Sequence, residues 1–325
     1  MVTDIHCHFI PDELFRFVRA QDDFGLKLKF CEGERIDIDV RGRHFGLNPT
    51  FFEPTRQIER MRTLGIDRTV ISLATPLVNY HVDSKVAIKA AHLCNDGFAQ
   101  VVDAYPEQFQ AWAFLPMQDP DAAAQELRRC VRDFGFIGGY IASNVRGRYL
   151  PDESFYPVFD AARELDVPLF VHPVDPPGKD RTADYELTVV AGYLFESTIN
   201  VMRMICSNFL DKYGDIKWVV AHTGAFSLIL RNRMQREIDT NPSLVNALPK
   251  KVGEYLRTLY FDTVCFEPEY LRMAAGMVPP EHLLMGSDAP FPLGEPDPVN
   301  FVRKSLQPHA ADMALEGNYS RMFGG

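Results

Sequence analysis

Apolar positions follow two alternating rhythms along the chain. Short runs rich in Val, Ile, Leu and aromatic residues recur at 2–5, 69–74 (TVISLA), 110–115 (QAWAFL), 137–142 (IGGYIA), 168–171 (PLFV), 217–221 (KWVVA), 259–262 (LYFD) and 283–286 (LLMG). Their length and near-continuous apolar character suit strands covered on both faces. Between them apolar residues return every three to four positions, which predicts helices over 84–104, 120–134, 154–165, 189–212, 226–237 and 267–277. Eight strand-then-helix units predict an α/β fold, a closed (β/α)8 TIM-type barrel, with residues 1–325 forming a single domain.

One stretch breaks the rhythm. In 25–54 apolar and polar residues alternate on both sides of Glu32-Gly33-Glu34, the pattern of a small β-hairpin inserted after strand 1 and placed as a lid over the barrel mouth. The segment 174–184, rich in Pro, Gly and Asp, predicts a functional loop after the fifth strand. No repeat, low-complexity tract or linker interrupts the rest.

Charge narrows the partners. With 34 Lys and Arg against 44 Asp and Glu the formal net charge is −10, and the basic residues are scattered, which argues against nucleic acid. The six cysteines form no CxxC pair and read as reduced thiols in a cytoplasmic protein. No signal-peptide pattern precedes the first motif and no uninterrupted apolar run matches a bilayer span, so no membrane association is expected.

In such a barrel the chemistry sits where strands end and the loops to the helices begin. Four of the nine histidines fall there: His6 and His8 on the first strand, His172 after the fifth (FVHP) and His222 after the sixth (VVAHTG). Asp288 follows the eighth (LLMGSDAPF). The i, i+2 spacing of His6 and His8 directs both to one side of a strand. Singly, each of the five has a packing or turn explanation. Jointly they converge on one mouth and compose a site for one divalent ion, Zn²⁺ first and Mn²⁺ as the alternative, with Fe²⁺ and Co²⁺ compatible. The fourth strand, IGGYIASN, has no Lys or acidic residue to bridge a second ion. His44, His81, His92, His282 and His309 fall in helical or loop stretches and read as surface or structural.

These residues lie within longer ordered segments: DIHCHF (4–9), LCNDGFAQVVDAYPEQFQAWAFLPMQDPDAAAQEL (93–127), GFIGGYIASNVRGRYLPDESFYPVFDAARELDVPLFVHP (135–173), AGYLFESTINVMRMI (191–205), GSDAPFPLGEP (286–296) and GNYSRMFG (317–324). Together they resemble the amidohydrolase superfamily, most closely its branch of metal-dependent decarboxylases typified by aminocarboxymuconate-semialdehyde decarboxylase. The resemblance implies a mononuclear site with His6, His8, His172 and Asp288 as metal ligands and His222 as a catalytic residue beside them. Asp288 serves in that scheme as ligand and proton carrier, and whether it or His222 transfers the proton stays open. The implied reaction is non-oxidative decarboxylation of a small carboxylic acid in catabolism. The alternative on the same residues is a mononuclear hydrolase or hydratase acting on a lactone, amide or conjugated acid. A barrel kept only for binding is disfavoured because every ligand is present.

The resemblance further implies a homodimer, in which an arginine after the catalytic histidine reaches the neighbouring subunit's substrate; Arg233 is the first candidate and Arg231 the second. Departures shape the expected substrate. Phe45 and Asn48 stand where the namesake enzyme has arginines for a substrate carboxylate, with Arg41 and Arg43 nearby. Asn48 suits a hydroxyl, carbonyl or ring nitrogen. An aromatic, heteroaromatic or unsaturated acid with one carboxyl group is therefore expected. Val174 replaces a tryptophan frequent in the family, leaving Phe52, Phe195 or Phe291 to wall the pocket, Phe291 being assigned to substrate with Asn48 and Arg233.

Overall fold

The structure is a computed structural model and describes residues 1–31, 36–40, 43–78, 80–244 and 248–324. The expected turn around Glu32–Glu34, Arg41 and the side chain of Arg43 lie outside the described residues. In chain order the strands are β1 (Thr3–Phe9), β2 (Leu26–Phe30), β3 (Ile36–Val40), β4 (Arg43–Leu47), β5 (Arg68–Leu73), β6 (Phe109–Phe114), β7 (Gly138–Ala142), β8 (Asn144–Val145), β9 (Arg148–Tyr149), β10 (Leu169–His172), β11 (Trp218–Val220), β12 (Tyr260–Asp262) and β13 (Leu283–Leu284). Eight of them form one sheet in the order β1-β5-β6-β7-β10-β11-β12-β13. Every pairing within it is parallel. The chain after β13 returns to β1: the Ile5 amide donates to the Met285 carbonyl, His8 to Ala289, and Asp288 to His6, which closes the (β/α)8 barrel.

Local signals account for the helices around it. The helix Ser84–Ala104 starts under the Asp83 carboxylate, which accepts from the Lys85 amide. The helix Pro120–Phe134 starts under Asp119, places Pro at its first turn and stops at Gly135 with φ +66°. Trp112, Tyr140 and Phe170 are fully buried inside the barrel, Phe170 packing against both of the others, and the Trp112 indole N–H donates to the Ile5 carbonyl. Phe170 also meets the His6 ring at 5.0 Å, so this aromatic layer is the floor on which the polar mouth is built.

Several expectations are corrected. The first strand runs on to Phe9 and is buried at every position, so the two histidines lie within it. A helix, Asp12–Arg19, follows. The insertion is a three-stranded antiparallel sheet, β2-β3-β4, rather than a hairpin, because RHFGL adds a third pairing strand. The helix expected over 189–212 is a π turn (Thr188–Gly192), then Tyr193–Cys206, then a separate Phe209–Tyr213 after Asn208 at φ +57°. The expected helix after the sixth strand is Ser227–Thr240.

Asp184–Cys206 has the length and mean hydropathy, 1.2, of a membrane span, although Glu186 and Glu196 interrupt its apolar run. Half of that window is buried inside the fold. It also carries Glu196, which is fully enclosed and accepts from Ser143, Asn144 and Tyr149, so the helix is a core element with one apolar outer face. The six cysteines are all free.

Candidate metal centre

β1 carries a bulge. Between Asp4 and Cys7 three residues advance against two on β5, and this local shift helps aim His6 and His8 into the barrel. Both are fully buried. The His6 and His8 Nε2 atoms stand 3.2 Å apart, and Asp288 Oδ1 lies 3.2 Å from the first and 2.9 Å from the second. Ligand atoms of His6, His172, His222 and Asp288 all fall within 4.8 Å of one another. The five residues picked out on the sequence are thus brought together, with His8 joined to the group through His6 and Asp288.

Hydrogen bonding fixes the proton positions on three of the four imidazoles. His6 Nδ1 donates to Asp262 Oδ2 at 2.6 Å, His8 Nδ1 to the Leu73 carbonyl at 3.1 Å and His172 Nδ1 to the Pro173 carbonyl at 3.0 Å. A carbonyl or carboxylate can only accept, so in the neutral rings each Nε2 carries a lone pair. Two of these lone pairs face Asp288 Oδ1, and the third, on His172, is buried without a hydrogen-bond partner among the described residues. Lone pairs and a carboxylate directed at one point repel unless a cation lies between them. The donor set fits one divalent ion, three nitrogens and an oxygen.

The protonation balance agrees. Burial alone would push His6 down, but the Asp288 charge and the bond to Asp262 outweigh it and carry His6 up to about 10. Burial holds His8 below its usual range, and burial together with His222 holds His172 well below it. Asp288 is buried, which would raise it, yet His6, His222 and His8 hold its carboxyl well below the usual carboxylate range. Without a cation the cluster draws a proton onto His6 in its place, and a metal ion would displace that proton.

His222 is built differently. Its Nε2 lies 3.6 Å from Asp288 Oδ2, while its Nδ1 is buried with no hydrogen-bond partner among the described residues. No acceptor fixes its tautomer. Its backbone is also unusual: His222 and Thr223 both have positive φ, 57° and 52°, and their successive N–H groups donate to the two oxygens of Asp262 at 2.9 and 2.8 Å. Such consecutive left-handed residues form a cradle for a carboxylate.

Asp262 also accepts from the Val264 amide at 3.0 Å, so one buried carboxylate orients His6 and shapes the turn that presents His222. It was missed on the sequence, although it ends the seventh strand (LYFD) and the rule that selected the other strand-end residues would have found it. Gly286 is the tight spot of this wall: a Cβ there would sit 2.9 Å from His6 Cβ.

The substrate candidates separate. Phe291 packs at the mouth, 5.1 Å from the His8 ring. Phe52 instead packs on Phe15, and Phe195 lies on the outer face against Phe226. Asn48 is half-buried and its Oδ1 accepts from the Thr50 amide. Arg233 is exposed on the outer face of Ser227–Thr240, and Arg231 is half-exposed. Among the other histidines, His92 pairs with Glu126 and His282 donates to the Leu259 carbonyl.

Comparison with known proteins agrees with this geometry. The chain is 27% identical over 335 residues to a 2-amino-3-carboxymuconate-6-semialdehyde decarboxylase of Dictyostelium discoideum, covering 99% of this chain and 91% of that one. It is 28% identical to a gamma-resorcylate decarboxylase of Polaromonas, over 73% of this chain and 76% of the other. The fold matches a 5-carboxyvanillate decarboxylase from Novosphingobium aromaticivorans, solved with manganese and 4-hydroxy-3-methoxy-5-nitrobenzoic acid, at a TM-score of 0.83 and 21% identity, covering 99% of this chain and 96% of that one. The family profile described as amidohydrolase matches residues 3–324. With the barrel, its histidine and aspartate mouth and this full-length match in agreement, the chain belongs to the amidohydrolase family.

Proposed function

We propose that the protein is a metal-dependent carboxy-lyase that removes CO₂ non-oxidatively from a small aromatic, heteroaromatic or unsaturated carboxylic acid. The observation that carries this is the buried cluster of three Nε2 lone pairs on one carboxylate, beside a fourth imidazole whose proton is not fixed. His6, His8, His172 and Asp288 hold the ion, Zn²⁺ or Mn²⁺. When bound it supplies Lewis-acid polarisation of substrate oxygens.

The chain's own groups handle the proton. Decarboxylation exchanges CO₂ for H⁺ at carbon, so a proton must reach the carbon that CO₂ leaves. Asp288 is ionised at rest, held so by His6, His222 and His8. It therefore has no proton to deliver until it has taken one, from a substrate hydroxyl or from His222 across the 3.6 Å to Nε2. The aromatic floor and Phe291 keep water from the reacting carbon. The insert, residues 25–54, acts as the lid of a single-domain barrel, its Val40 on β3 buried against the cavity at the mouth.

The test is CO₂ release by metal-quantified protein over hydroxybenzoates, hydroxylated pyridine carboxylates, pyrimidine carboxylates and muconate semialdehydes. Metal-dependent release from one of them is expected. Hydration or hydrolysis of a conjugated acid or lactone without CO₂ would overturn the reading in favour of a hydratase or hydrolase.

The working unit is a homodimer. Val190, Phe195 and Ile229 are 54%, 53% and 52% exposed on adjoining helical segments, and Arg233 lies one turn from Ile229 on the same helix face. Such a patch is costly to leave in water. Ile229→Asp is expected to convert a dimer to a monomer in sedimentation and to lower turnover through loss of Arg233 from the neighbouring site. A fully active wild-type monomer would remove both roles.

A further inference from the structure

A cavity of about 200 Å³ lies against the metal centre, bounded by loops that follow β5, β7 and β10 and by Val40 of the insert. Thr75 joins the two spaces: it lines the cavity, and its hydroxyl stands 3.4 Å from His172 Nδ1. The volume exceeds the roughly 150 Å³ known to admit a benzene ring. Its polar wall is formed by Asn144, Asp175 and Arg146.

Arg146 is unusual in two independent ways. It occupies, with Gly147, the two-residue turn between β8 and β9, at φ +54° followed by +79°. Such turns select Asn, Asp or Gly at the first of these positions, and an arginine there sits in backbone space that its Cβ disfavours. A strained non-glycine residue at a barrel mouth calls for a function.

The second feature is its charge. Its Nε donates to the Tyr80 carbonyl at 2.8 Å and one terminal nitrogen to the Val82 carbonyl at 2.8 Å, which pins the guanidinium to the cavity wall. Among the described residues no carboxylate pairs with it. Asp175, across the cavity, is bound to Lys179 at 2.5 Å rather than to Arg146. The other terminal nitrogen makes no hydrogen bond among the described residues. It leaves a pinned, charged donor pair facing a ring-sized space next to the metal ligands.

We propose that Arg146 is the anion-recognising residue of this cavity, and that the substrate carries a second anionic group, remote from the carboxyl held at the metal centre. This rests on the carboxy-lyase reading and changes the expected substrate. Phe45 and Asn48 had pointed to an acid with one carboxyl group; Arg146 supplies, from a different loop, the cation those positions lack. The insert, through Val40, closes over the ring that bridges the two groups.

The test is calorimetric binding of isophthalate, terephthalate, cis,cis-muconate and benzoate to the metal-loaded protein and to Arg146→Asn. Asparagine suits the left-handed turn, which offsets part of the loss of the bonds to the Tyr80 and Val82 carbonyls, so the variant is expected to fold and bind metal as wild type does. At least one dicarboxylate should bind the wild type tenfold or more tighter than benzoate. Arg146→Asn should erase that preference and leave benzoate unchanged. Equal binding of benzoate and all three dicarboxylates, or an equal loss for benzoate and dicarboxylate in the variant, would overturn the proposal and leave Arg146 as a brace for the 80–82 loop. Binding is read without turnover, so a failure to release CO₂ would count against the carboxy-lyase reading alone.

Discussion

Asp288→Asn is expected to lower CO₂ release by about 10²–10⁴-fold, the range of a lost general acid–base group. The substitution is nearly isosteric, and the amide oxygen can still face His6 and His8 as Asp288 Oδ1 does now. Part of the metal should therefore remain, measurable by elemental analysis of the purified variant. What the amide cannot do is take a proton at Oδ2 and pass it on. The same change removes the negative charge that lifts His6 to about 10, so the metal-free variant should hold one proton fewer in the cluster. Near-wild-type turnover with metal bound would show that His222 carries the proton unaided.

The second large effect is expected at Asp262, which touches no substrate. Its two oxygens accept from His6 Nδ1 and from the amides of His222, Thr223 and Val264. Asparagine keeps one acceptor and turns an NH₂ toward two donors. If the oxygen stays with His6, the Thr223 and Val264 amides lose their partner; if it turns, His6 loses its orientation and the His222 amide is stranded. Each buried donor left unmet costs about 1–3 kcal/mol. Asp262→Asn should weaken metal affinity about 10–100-fold and lower the melting temperature, read by chelator competition and calorimetry. Unchanged metal affinity would mean that His6 is oriented by packing against Phe170 alone.

The barrel was legible because its strands are covered on both faces and so appear as unbroken apolar runs, separated by helices with capped starts such as Asp119-Pro120. The mouth was legible because four histidines and one aspartate share a position relative to those runs. What escaped detection depends on features without a periodic signature. The bulge in β1 and the π turn before Tyr193 change register without changing composition. The third strand of the insert, RHFGL, is short and carries two polar residues and a glycine. Asp262 was passed over because its partners are backbone amides, which no side-chain pattern records. Arg146 was hidden for a similar reason, since its significance comes from a turn conformation and an unmatched charge.

Closure of the barrel has a consequence for how the site comes into being. His8 and Asp288 meet across 280 residues, and the backbone bonds that join Ile5 and His8 to Met285 and Ala289 are the seam of the barrel. The first and last strands are thus fastened beside the proposed metal ligands, so an ion held there would work as a clasp across the seam. A nascent chain presents His6 and His8 some 280 residues before Asp288, so the pocket stays incomplete until Asp288 has been made and the seam has shut. Contacts of such long sequence separation form late because the loop between them must first be ordered. On the proposed ligand set, metal capture would report completion of the fold, and a partly folded chain holding only some of these ligands would have no catalytic centre to misuse the ion.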